Sequence, residues 1–272
     1  MKKVFYSILG LTIISAVIIT SCKKESTQNS TDKIELKSQL VEKFKVVGEQ
    51  HNLSLASVYN DMKSQEIDLS SKEKFANQFE ISLNKFFSKS TLINNSNSTC
   101  IDYKGKCKYY FKTQLTSKNK SGSSEEYNDS LINNSDFSAN LKGLLLNLTK
   151  FPDNDNLTIS QFNIFIDSLN NVAVQILDNE NELNIYFTAS SVAKASFEYW
   201  ANNLDNWVVM IGSNKKDPAS INNGVLGADV GGAVGGAIGA AVTGPGIAVG
   251  AFVGASACST GKVVENLWNY FF

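Results

Sequence analysis

Leu40, Phe44, Val47, His51, Leu55, Val58 and Met62 recur at steps of three or four residues, the period of a helix that buries one stripe. Gly48 and Asn52 are its expected points of interruption. Ser70-Ser71-Lys72-Glu73 offers a capping box to a second helix, with Phe75, Phe79, Leu83 and Phe86 as its apolar row. The pattern fails over about 88–135, where Asn, Ser and Gly dominate and loop is expected. Inside that stretch Tyr109, Phe111 and Thr113 alternate, as in a short strand or hairpin. Helical periods return with Phe137, Leu141, Leu144, Leu145 and Leu148, stopped by Pro152. A second such row is Phe162, Phe165, Leu169, Val172 and Ile176, which Thr158 and Gln161 can cap, and a third is Tyr186, Ala189, Ala193, Phe197, Trp200 and Leu204. The expected fold class is all-α.

The C-terminal part has a different pattern. Gly227, Gly231, Gly235 and Gly239 fall every fourth residue beside a row of Leu226, Val230, Val234, Ile238 and Val242. After the turn signal Thr243-Gly244-Pro245-Gly246, the same step returns in Gly246, Gly250 and Gly254, and Cys258 continues it. Two antiparallel helices joined at Pro245 are expected. Each interior glycine costs about 1 kcal/mol against alanine in an exposed helix, so close packing has to offset the loss. The segment from Val230 to Gly261 carries no charge, and its spacing matches the small-xxx-small pattern of helices that pack in membranes. Val225 to Val242 would span about 27 Å as helix, barely the depth of a thin hydrocarbon layer. Trp268, Tyr270, Phe271 and Phe272 suit an interfacial aromatic anchor. This segment resembles the glycine zippers of bacterial membrane-associated proteins and, more loosely, the glycine-rich helices of class II bacteriocins. A water-soluble hairpin packed on its own body is the alternative.

At the other end, Lys2 and Lys3 precede an uncharged run, Val4 to Ser21, that leads directly into Cys22. A basic start, an apolar stretch and small residues at the cut describe a secretory signal. Ile19-Thr20-Ser21-Cys22 resembles the lipobox of bacterial lipoproteins, which implies cleavage before Cys22 and attachment of diacylglycerol and palmitate to that cysteine. Lys23-Lys24-Glu25, with no aspartate after Cys22, implies the outer membrane as destination. The expected organisation is a signal peptide over 1–21, a flexible tether over 22–37, a helical body over 38–212, a linker over 213–223 and the glycine-rich hairpin over 224–272.

Composition narrows the partners. The 272 residues carry a formal net charge of -1, and every basic residue is lysine, so arginine readout of phosphates or bases is missing and nucleic acid is not an expected partner. Cys100 and Cys107 are close enough in sequence to close a short disulfide loop in an oxidising compartment, or to remain two thiols. His51 stands alone as histidine, which rules out a histidine-rich metal site and favours a core or capping role on the apolar stripe. Ser259-Thr260-Gly261-Lys262 falls short of a phosphate loop, because Ser256 replaces the leading glycine and Val263 the magnesium-binding hydroxyl. No cofactor, metal or catalytic residue is expected. Tyr199, Trp200 and Trp207 lie near Asn202 and Asn203, and core packing is favoured there over a sugar or peptide site. The expected function is that of a non-enzymatic envelope lipoprotein, a binding or structural module bound to a membrane by its lipid. Its hairpin would mediate helix packing, self-association or lipid contact. The alternative is a membrane-active effector that inserts the hairpin into a target bilayer.

Overall fold

The computed structural model describes residues 27–95, 129–130, 132–149, 157–210, 228–237 and 244–271. Every regular element among them is α-helical: besides helical residues at 129–130 and 132–133, these are α1 (Thr27–Lys63), α2 (Lys72–Phe87), α3 (Thr91–Asn95), α4 (Ala139–Thr149), α5 (Ile159–Ile176), α6 (Glu180–Met210), α7 (228–237) and α8 (Gly244–Phe271). The chain divides into two compact units, Met1–Leu36 and Lys37–Phe272. In the first, the described residues, 27–36, are helical. Residues 27–37, expected to be tether, thus carry helical backbone. Asp32-Lys33 and Glu35-Leu36-Lys37 contain good helix formers that extend a helix once its next turns are packed.

In the second unit, each helix follows from its apolar row. On α1, Leu40, Phe44, Val47, His51, Leu55, Val58 and Met62 are all buried. The helix runs unbroken through Gly48, where a sequence reading expects an interruption. A side chain there would run into the Ser191 carbonyl and the Ala195 Cβ of α6, so the glycine permits a close helix crossing rather than a break. Ser191 Oγ seals this crossing, accepting from the Gly48 amide at 3.3 Å and donating to the Phe44 carbonyl at 2.8 Å.

Helix α2 starts at Ser71, whose hydroxyl accepts from the Lys74 amide. That is a single N-cap, since position 74 is lysine and has no acceptor to return the bond. Phe75, Phe79, Leu83 and Phe87 form its buried row, with Phe86 only half-buried. Thr158 and Gln161 make both hydrogen bonds of a capping box at the start of α5. The buried row of α5 is Phe162, Ile166, Leu169 and Ala173, whereas Phe165 and Val172 are half-buried and Ile176 is exposed. Two interleaved apolar rows exist on that helix, and packing against α6 selects one, with Phe162 stacked on Phe197 at 4.4 Å between ring centroids. Helix α6 buries all six residues of its expected row, touches α4, α5 and α8, and forms the axis of the unit. Against α2, α8 places Phe252 on Phe87 at 5.3 Å and Trp268 on Phe75 at 5.8 Å.

Candidate functional site

Two features of the second unit stand out chemically, and they share helix α7. The first is the glycine contact between α7 and α8. A Cβ at Gly236 would overlap the carbonyl of Gly250, one at Gly232 that of Gly254, and one at Gly254 that of Gly232. The contact is reciprocal, backbone on backbone, at a separation where small residues alone are accommodated. Gly250 and Gly254 are among the glycines singled out in the sequence; Gly232 and Gly236 lie one residue beyond Gly231 and Gly235. Gly231, Gly235 and Gly246 are also buried. Gly227, Gly239, Cys22, Cys100, Cys107 and the alternating segment at Tyr109 lie outside the described residues. Cys258 is buried in α8 with its Cβ against Gly232.

The second feature is a polar cluster sealed inside the body. His51 of α1, Ser196 and Trp200 of α6 and Asp229 of α7 are all fully buried. Asp229 Oδ2 accepts from the Ser196 hydroxyl and from Trp200 Nε1 at 3.2 Å. His51 Nε2 lies 3.4 Å from the same oxygen, within ion-pair range but not aligned as a hydrogen bond. On the far side of the ring, Nδ1 meets Asn52 Oδ1 at 3.1 Å, and Asn52 Nδ2 donates to the Ala195 carbonyl at 2.8 Å. Ser54 donates to the His51 carbonyl at 2.7 Å and shares a 2.8 Å hydrogen bond with Ser256 of α8. Four helices are therefore joined by side-chain polar contacts at one buried point.

Periodicity placed His51 on the buried stripe, but nothing in the sequence singled out Asp229, the residue that gives the histidine its chemistry. The one available signal was an isolated acid heading a charge-free helix, in a chain with a single histidine. Tyr199 lies alongside, accepting from Trp207 Nε1 at 3.0 Å. Burial pushes its phenol well above the usual tyrosine range, and the charges of Tyr59 and Asp229 add to the effect. Trp200 and Trp207, 5.5 Å apart, are core residues with no exposed face for a sugar.

Above Asn52 lies a crevice of about 280 Å³ between α1, α5 and α6, lined by Val41, Lys45, Glu49, Phe187, Lys194 and Glu198 among others. A wider depression of about 640 Å³ lies between α1 and α2, with Leu53, Phe86, Asp61 and Lys85 on its walls. Among the described residues, no group of three His, Cys, Asp or Glu side chains is arranged to hold a metal ion. No protein-family model matches the chain, and neither a curated protein nor a solved structure does.

Proposed function

We propose that the chain is a non-enzymatic envelope lipoprotein, anchored through Cys22 to the outer membrane, whose glycine-rich hairpin is the packing core of its own helical body. The body acts as a binding or bracing module. The observation that carries this reading is the burial of the hairpin: α8 contains an apolar stretch, Gly246–Asn269, long enough to cross a membrane, yet 89% of its 18-residue apolar window is buried in the protein. Its small-residue faces are spent on each other, and its large residues on Phe75 and Phe87. The polar cluster supports a structural role too, since His51, Ser196 and Asp229 are all sealed from solvent and offer no face to a substrate.

Two measurements test the proposal. Metabolic labelling with a fatty acid is expected to mark the wild-type protein and not Cys22→Ala; equal labelling of the two removes the lipoprotein reading. A chain beginning after Cys22, with no lipid, is expected to remain in the aqueous phase when mixed with phospholipid vesicles. The length and apolarity of α8 favour one second reading, a membrane-active effector that unfolds its body to insert the hairpin. Vesicle leakage caused by that lipid-free chain would select the effector.

A further inference from the structure

We infer that His51 carries protons on both ring nitrogens and forms with Asp229 a buried ion pair that latches the glycine-rich hairpin to the body. The proton assignment follows from hydrogen-bond direction. Only the NH2 of an amide can meet a carbonyl at 2.8 Å, so the Asn52 to Ala195 contact fixes that side chain and turns Oδ1 toward the imidazole. His51 Nδ1, 3.1 Å from Oδ1, must then be a donor. A neutral ring with its proton on Nδ1 would aim the Nε2 lone pair at Asp229 Oδ2, 3.4 Å away. Asp229 is itself set up as an anion: Oδ2 accepts from two donors at once, the Ser196 hydroxyl and the indole N–H of Trp200. A second proton on the ring resolves the conflict, giving a cation beside an anion.

Other titratable groups around the pair do not take over this role. Helix α6 contributes Tyr199, which burial keeps protonated, and α8 contributes the buried thiol of Cys258. The charges on α8, Lys262 and Glu265, pair with each other at 2.8 Å. His51 is therefore the counter-charge of Asp229. Asp229 sits one turn before Gly232 on α7, so the ion pair and the glycine contact hold the same helix. Losing the His51 proton would strand a carboxylate in the core and loosen α7 and α8 together.

Because the chain has one histidine, 15N labelling of histidine gives a single imidazole spectrum. The wild-type chain is expected to show two protonated ring nitrogens at neutral pH, and Asp229→Asn only one. Hydrogen exchange of α7 and α8 amides in His51→Gln is expected to speed up by about a hundredfold to a thousandfold, the loss that follows from breaking a buried pair. Adding Asp229→Asn to that variant should restore most of the protection, since no charge is then stranded. An unprotonated ring nitrogen in the wild type would overturn the inference without any variant having to fold. So would a double variant that exchanges as fast as His51→Gln.

Discussion

Asp61 shows how one side chain joins two helices. Near the C-terminal end of α1, its carboxylate accepts from Ser82 at 2.6 Å and Lys85 at 2.5 Å, both on α2, and from Gln65 at 2.9 Å. The Lys85 hydrogen bond, and after it that of Ser82, hold the carboxyl below its ordinary value of 3.8. A lowered carboxyl stabilises the fold above its unfolded-state value, and the contribution disappears as pH falls through the lower folded-state value. Asp61→Asn is accordingly expected to cost about 0.5–1 kcal/mol at neutral pH, the range for a solvent-screened pair. Thermal melting well below pH 3.8 should bring variant and wild type together; a loss unchanged in acid would show that the charge is irrelevant. At this scale the sequence was partly readable. The stripe position of His51 and the Thr158–Gln161 cap follow from spacing alone. Asp61 with Lys85 and His51 with Asp229 do not, because each pair exists only once two distant segments are packed.

Glycines in the helices divide into opposite kinds, and substitution tests the division. Nothing lies within 4 Å of a Cβ added at Gly143 on the exposed side of α4, so Gly143→Ala is expected to stabilise by up to about 1 kcal/mol through helix propensity. At Gly236 and Gly254 the added carbon meets the backbone of the opposite arm, which cannot move aside as a flexible side chain can. Either one replaced by alanine should destabilise by about 1–3 kcal/mol or more, as overpacking does. Urea unfolding of the three variants separates the cases, and equal shifts would refute the packing role. The every-fourth-residue glycine row was legible, but not which row faces the other arm. Gly231-Gly232 and Gly235-Gly236 are doublets, so two rows run side by side and only the position of the partner helix distinguishes them. The same ambiguity explains α5, where Ile166 took the buried place expected of Phe165.

Over the whole second unit, the core is assembled from both ends of the chain. Helix α2 packs on α8, and Phe87, Phe75 and Trp207 lie fully buried where these helices and α6 converge. A chain ending at Met210 is expected to keep helical circular dichroism but lose the near-ultraviolet signal of Trp200 and Trp207 and bind a hydrophobic dye. A sharp, cooperative melt of that truncated chain would mean that the body is independent of the hairpin. The helical class was legible because each amphipathic row carries its own period; the closure was not, because periodicity records which face is buried and never against what. That closure also sets an order in time. Ser54 and Ser256 bond across 202 positions, so α8 leaves the ribosome long after α1. Contacts so distant in sequence form late and slowly. For most of its synthesis the chain must therefore carry an uncovered apolar row on α1, α2 and α6, a substrate for chaperones until the last helix arrives.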